Sequence, residues 1–270
     1  MKDYLLELTG AKEGSQVRLN TMREYLQAYV LRILHDDGIF QTTAFWGGTA
    51  LRFLHNLPRF SEDLDFSHVQ GRTLSFVKLI KKLKQELDLA GYNVSVTYNE
   101  VKTVQSAFVK FEGLLYEAGL SPLKKQKLSV KIEIDTNPPE GSRLEIQIIN
   151  KYFPLAFLTF DLPSFFAGKV SALLSRKYTK GRDFFDLGWY LSRWRDIKPN
   201  IRLLHNALTQ TGWTKEIPRE DNWRDFLYQV VDKADWRKVH RDVVNFLENP
   251  LDMKVFTKEN VLRLLCPNKA

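Results

Sequence analysis

The residues best suited to chemistry lie in two short runs. Phe45, Trp46, Gly47, Gly48, Thr49, Ala50 and Leu51 form the first, and Arg59, Phe60, Ser61, Glu62, Asp63, Leu64, Asp65 and Phe66 the second. Asp63 and Asp65 alternate with the apolar Leu64 and Phe66, so on a strand both carboxylates share one face and both apolar side chains the other. Two neighbouring carboxylates repel, and a cation between them removes that penalty. Mg²⁺, which binds one or two carboxylates together with substrate phosphates, suits such a pair. The glycines permit close backbone approach, and the open N–H groups at a helix start attract phosphate oxygens. A lone Gly-Gly is most often a turn and a lone Asp-x-Asp a solvated loop or cap. Joined, with thirteen residues between Thr49 and Asp63, they describe a site for a divalent cation and a nucleoside triphosphate.

The flanking sequence has the periodicity to position these groups. Gln41 to Trp46 is β-branched and aromatic and reads as a strand, while Thr49 to Leu57 carries apolar residues at helical spacing, so the glycines mark a strand-to-helix turn. Residues 3–36 read as helical, ending at Asp36-Asp37-Gly38, and Leu74 to Leu89 is an amphipathic helix whose lysines form a solvated face. Strand alternation follows in Asn93 to Val101, Ser106 to Glu112, Leu128 to Thr136 and Arg143 to Ile149, with a turn at Asn137 to Gly141 and a further short strand from Leu155 to Asp161. Lys131, Glu133 and Asp135 share one face of the Leu128–Thr136 strand. Such a charged face ordinarily meets solvent.

A second chemical run begins at the helix opened by Leu162-Pro163-Ser164. Lys169 and Arg176 lie two turns apart on one side of it, followed by Arg182, Asp183 and Asp186 at the start of the next helix. A lysine there could meet the β/γ-phosphates of a triphosphate as charge builds on leaving pyrophosphate. Asp183 suits either a helix-start charge or a functional role. Residues 169–195 hold seven Lys/Arg against two Asp/Glu and so five of the eight net positive charges of the chain. That concentration suggests a polyanion such as RNA or a nucleotide phosphate chain, the alternative being a solvated helix face.

The two motifs together resemble the AbiEii/AbiGii toxin family, including its MenT-like relatives, within the DNA polymerase β-like nucleotidyltransferase superfamily. The first motif matches in Gly47-Gly48-Thr49-Ala50-Leu51 with Arg59 to Phe66, the second in Lys169 to Lys177 with Arg182-Asp183-Phe184-Phe185-Asp186-Leu187, and the resemblance extends to about residue 195. It implies an α/β (α+β) fold in which a mixed sheet is flanked by helices. A nucleotidyltransferase domain would span 1–195 and a helical C-terminal subdomain 196–270. It also implies a third acidic residue on a strand beside the aspartate pair, Asp135 first and Glu133 second, to complete a metal shell or act as general base. Asp63, Asp65 and Asp135 would then be catalytic and bind Mg²⁺. Lys169 and Asp186 would be the later active-site pair, with Asp183 close behind. Gly47, Gly48, Thr49, Arg59, Ser61, Lys169 and Arg176 would hold the nucleotide, and Arg182 would salt-bridge or touch phosphate. Thr49 stands where many superfamily members have Ser, and the hydroxyl is kept.

The implied activity is Mg²⁺-dependent transfer of NMP from an NTP to an RNA 3′-hydroxyl, with tRNA the acceptor in MenT-type relatives, by the toxin half of a toxin–antitoxin or phage-defence pair. Implied partners are an NTP, RNA and an antitoxin protein. Nucleotidyl or phosphoryl transfer to a protein hydroxyl, or a non-catalytic RNA- or antitoxin-binding role, are the other classes open to the same residues. Composition is ordinary for a soluble globular protein: 270 residues, 44% hydrophobic and 27% charged. No apolar run approaches ~18 residues and Met1-Lys2-Asp3-Tyr4 opens no signal-peptide pattern, so a cytoplasmic protein without a membrane partner is expected. Cys266 is the only cysteine, which excludes an internal disulfide and a Cys-based zinc site, and the five histidines lack ligand spacing. His68 is the one nearest the aspartates. Beyond Trp189 the pattern is helical, with segments at 199–211, 220–234, 236–248 and 257–265, and Trp194, Trp213, Trp223 and Trp236 are either core or base-stacking residues.

Overall fold

The computed structural model describes residues 1–266. In chain order its elements are α1 (Lys2–Gly10), α2 (Ser15–Asp36), β1 (Thr43–Trp46), α3 (Gly47–His55), β2 (Asp63–His68), α4 (Phe76–Leu89), β3 (Val94–Asn99), β4 (Val104–Phe111) and α5 (Leu114–Glu117). Then come β5 (Leu128–Asp135), β6 (Leu144–Asn150), β7 (Pro154–Phe160), α6 (Leu162–Ser175), α7 (Gly181–Arg193), α8 (Ile201–Gln210), α9 (Trp223–Lys233), α10 (Trp236–Val243) and α11 (Lys258–Leu265). Short 3₁₀ turns at Ile39–Gln41, Val244–Phe246 and Pro250–Lys254 fill three of the connections.

The strands form a seven-stranded sheet in the order β3-β4-β5-β2-β1-β7-β6. β2 runs antiparallel to β1 and parallel to β5, β1 is parallel to β7, and β3, β4 and β5 form an antiparallel meander. The sheet is therefore mixed, as expected, and the aspartate strand β2 is central. Its period-2 pattern drives Leu64 and Phe66 into the core, while Asp63 and Asp65 stay half-buried on the other face. Phe45, Phe66 and Phe157 meet beneath that strand, with ring centroids 5.4 Å apart for both Phe45–Phe66 and Phe45–Phe157. Helices α2 and α4 bury their apolar stripes, Leu26, Val30 and Ile33 on one and Leu79, Ile80 and Leu83 on the other.

Two local readings change. The expected helix over residues 3–36 is two helices separated by a turn at 11–14, which the glycines Gly10 and Gly14 bracket. The expected strand from Gln41 starts at Thr43, because the residues before it close a 3₁₀ turn.

By internal contact the described chain forms two compact units. One comprises Met1–Asn56, Phe60–Pro138 and Glu145–Thr159, and holds the sheet with α1 to α5. The other comprises Leu57–Arg59, Pro139–Leu144 and the chain from Phe160 onward. This division differs from one at residue 195, because α6 and α7 pack with α8 to α11. In this helical unit, Phe166 of α6 stacks near Tyr190 of α7, centroids 4.8 Å apart, and meets Trp223 of α9 edge-on at 5.4 Å. Asp161 caps α6 by accepting the Ser164 N–H at 3.0 Å, with Pro163 in the first turn.

Candidate active site

The site in the sheet unit is built where β1 ends and α3 begins. Trp46, the last residue of β1, pairs with Asp65 of β2. Gly47 then turns the chain into α3 with φ +82°. A β-carbon on Gly47 would stand 2.3 Å from Asp65 Oδ2, so only glycine lets the carboxylate lie against the helix start. No side chain caps α3. Its first-turn N–H groups and the positive end of its dipole therefore adjoin Asp65, the arrangement that attracts anions.

Thr49 has a different use from the expected one. Its buried hydroxyl donates to the backbone carbonyl of Asp63, so it ties the helix start to the aspartate strand. Two further ties were not foreseen. Gln27 of α2, fully buried, donates from Nε2 to the Ser61 carbonyl at 3.1 Å and holds the loop entering β2. Arg52 of α3 pairs with buried Glu24 of α2 at 2.6 Å, and the Tyr152 hydroxyl donates to the other Glu24 oxygen at 2.9 Å. The sequence signal for both was available: polar residues standing on the apolar face of a long helix.

The β2–β5 register places the two candidates for a third acid differently along the strand. Asp63 lies opposite Lys131, Asp65 opposite Glu133 and Ser67 opposite Asp135. Glu133 is thus the carboxylate beside the pair. Asp135 sits two residues further along, roughly 6–7 Å, in the direction leading away from the glycine turn. Its carboxyl accepts the Asn137 N–H at 3.0 Å, and burial raises its pKa against that hydrogen bond. The set Asp63, Asp65 and Asp135 is accordingly not gathered around one point. Among the described residues no group of three or more His, Cys, Asp or Glu side chains is arranged to hold a metal.

The donor chemistry still fits Mg²⁺, since Asp63 and Asp65 are hard oxygen donors on one face and the ion completes its shell from water and phosphates. Lys131 adds a cation: its ammonium is 2.8 Å from Glu133. Burial acts to lower its pKa, but Glu133, Asp63 and Asp65 outweigh that and hold it above the usual value. His68 ends β2 opposite Thr43, at the far end of the strand from Asp63.

In the helical unit the second motif forms a buried chain of charges. Arg59 grips Asp186 of α7 with Nε at 2.6 Å and Nη2 at 2.7 Å, the two side chains being 2% and 0% exposed. Lys169 of α6 reaches Asp186 at 2.6 Å and Asp183 at 3.2 Å, and Arg176 closes on Asp183 at 3.0 Å. Arg176 lies just past the end of α6 in extended conformation, not on its face, and it and Lys169 meet through Asp183. Asp183 pairs with both and caps nothing. Burial would raise the Asp186 carboxyl, yet Arg59 and Lys169 hold it down to about 2. Burial likewise works against the Lys169 ammonium, and Asp186 and Asp183 raise its pKa in spite of it. Arg59, expected to meet the nucleotide, is therefore an internal partner of Asp186. Arg182 lays its guanidinium over Phe246 at 4.2 Å.

A family model described as nucleotidyl transferase AbiEii toxin, type IV TA system, matches residues 29–257. No curated protein matches the chain significantly. A crystal structure from H. pylori, described there as a candidate nucleotidyltransferase, is 20% identical with a TM-score of 0.55, covering 89% of this chain and 90% of that one. JHP933 from Helicobacter pylori is 18% identical with a TM-score of 0.49, covering 89% and 88%. The first of these likenesses speaks to the fold, a helix-flanked mixed sheet. The family match runs through both motifs, from α2 past the Asp63/Asp65 pair and the Lys169/Asp186 pair. This chain therefore belongs to the AbiEii nucleotidyltransferase toxin family of type IV toxin–antitoxin systems.

Proposed function

We propose that this nucleotidyltransferase moves an NMP group from an NTP to an RNA 3′-hydroxyl, tRNA being the acceptor, with Mg²⁺ and with a cognate antitoxin as its protein partner. The observation that carries the proposal is the uncapped start of α3, set by Gly47 against Asp65, with Asp63 on the same face. Asp63 and Asp65 would hold Mg²⁺, which when bound neutralises the triphosphate. The first-turn N–H groups at Gly48 and Thr49 donate to phosphate oxygens. In the reaction the 3′-oxygen forms a bond to the α-phosphorus, the bond to the β-phosphate bridge breaks, and pyrophosphate leaves. The hydroxyl proton passes to a carboxylate, for which Glu133 is nearer the pair than Asp135.

Asp186 has a positioning role in this scheme. A carboxyl held to about 2 and closed off from solvent neither donates nor accepts a proton near neutrality. Lys169 is proposed to share that role through its two aspartates and to offer its ammonium toward phosphate. An RNA acceptor is supported by the basic run 169–195, and tRNA in particular by the resemblance to MenT-type toxins. Among the described residues no helix is long and apolar enough to cross a membrane.

The test is incubation of the purified chain with total bacterial RNA, Mg²⁺ and each NTP radiolabelled at the α-phosphate, beside Asp63→Ala and Asp65→Ala. Label is expected in a tRNA-sized band with the wild type, reduced at least ~100-fold in either variant. Label on protein, or equal labelling by the variants, would overturn the reading.

A further inference from the structure

The helical unit contains a cavity of about 360 Å³ between the end of α6, the 176–180 loop, α9 and the segment after α8. Arg176, Lys177, Lys180, Lys215 and Lys233 line it against one carboxylate, Asp183. Asp183 is already paired with Lys169 and Arg176. Among the described residues Lys177, Lys180 and Lys233 make no ion pair, and Lys215 lies only over the Trp213 ring at 5.3 Å. The nearby acids are taken: Glu216 pairs with Arg219, and Asp232 with Lys258. Among the described residues that line it, five cations are thus collected in a concave place beside a single carboxylate, Asp183.

Aromatic rings stand beside the charge. Tyr178 is 60% exposed, and Arg176 donates to its hydroxyl at 2.9 Å. Trp213 is half-buried in the wall, its indole N–H donating to the Glu216 carbonyl at 3.0 Å. Unpaired lysines alternating with open rings suit phosphodiesters and unstacked bases together. A free phosphate would leave the rings unused.

We propose that this cavity binds a single-stranded segment of the RNA acceptor, its phosphates on Lys177, Lys180 and Lys233 and a base against Tyr178. The proposal rests on the RNA-acceptor reading and names the surface that holds that acceptor. Lys180 supports it: burial, together with Arg176, Arg182 and Lys169, lowers the ammonium pKa even though Asp183 acts to raise it. A bound phosphate relieves that crowding.

The experiment is fluorescence anisotropy of the full chain with a labelled single-stranded oligo(U) RNA of about twelve nucleotides, without triphosphate or divalent cation. The variants are Lys177→Ala/Lys233→Ala and Tyr178→Ala, beside Lys78→Ala/Lys81→Ala on the exposed face of α4, which removes the same charge elsewhere. All the lysines concerned are exposed, and thermal melting checks each fold. The Lys177/Lys233 pair is expected to weaken binding about tenfold and to make the slope of log affinity against log salt shallower by about 1.4. Tyr178→Ala is expected to weaken it at least ~5-fold with the slope unchanged. The α4 pair should match the wild type. No RNA binding by the wild type, or equal loss in the two lysine pairs, would overturn the proposal. So would RNA binding kept by the Lys177/Lys233 variant while a fluorescent ATP analogue is lost, since the cavity would then be a free-nucleotide site. Because no transfer occurs in this assay, failure of label transfer alone would count against the enzymatic reading and leave the cavity assignment standing.

Discussion

At the residue scale, the most constrained group is Asp186. It is closed off from solvent and carries a negative charge only because Arg59 and Lys169 supply hydrogen bonds and positive charge. Its pKa falls from 3.8 to about 2 on folding, so its stabilisation is complete above about pH 4 and is lost as pH drops through about 2. That interval is worth on the order of 2 kcal/mol. Acid unfolding of the wild type, followed by circular dichroism, is expected to show a loss of stability over this range that Asp186→Asn lacks. Lys169 works in the opposite sense, its contribution being present below its unfolded pKa and lost when the pH rises through the elevated folded value. Arg59→Ala would leave Asp186 buried without its two-pronged partner, and a cost of about 3–5 kcal/mol is expected in urea unfolding. Arg59→Lys should restore only part of it, since one ammonium cannot match both carboxylate oxygens.

At the scale of elements, the proposed chemistry depends on the β1–α3–β2 junction. Ala in place of Gly47 adds a β-carbon 2.3 Å from Asp65 and forces a left-handed backbone on a residue that resists it. Gly47→Ala is therefore expected to lower the melting temperature and to reduce nucleotide transfer at least ~10-fold. Loss of stability with transfer intact would dissociate Asp65 from the chemistry. Much of this junction is legible in the sequence, because it is local: alternation marks β2, helical spacing marks α3, and two glycines between them leave few conformations. The alternating strands β3 to β7 are legible for the same reason. Register between β2 and β5 is not, since residues 69–127 separate them, and pairing Asp65 with Glu133 or with Asp135 satisfies the same period. The Arg59–Asp186 grip is equally hidden. Arg59 sits inside a motif that reads as nucleotide-binding, and its partner lies 127 positions away.

At the scale of the whole molecule, net charge is unevenly placed. Five of the eight net positive charges lie in the run 169–195, and part of that run lines the basic cavity. A toxin of this family is expected to slow growth when its gene is induced without a partner, and the Asp65→Ala chain is expected not to. Growth curves of the two, at matched protein levels, check this. Equal effects from both would separate toxicity from the carboxylate pair. The path of the backbone adds a constraint of a different kind. Leu57–Arg59 belongs to the helical unit although the two sheet-unit segments Phe60–Pro138 and Glu145–Thr159 follow before most of that unit is made. During synthesis Arg59 emerges long before Asp186, so every nascent chain passes through a stage in which its guanidinium has no carboxylate to close on. A chain released before residue 186 would carry Arg59 without its carboxylate partner and would lack Trp213, Lys215 and Lys233 from the cavity wall.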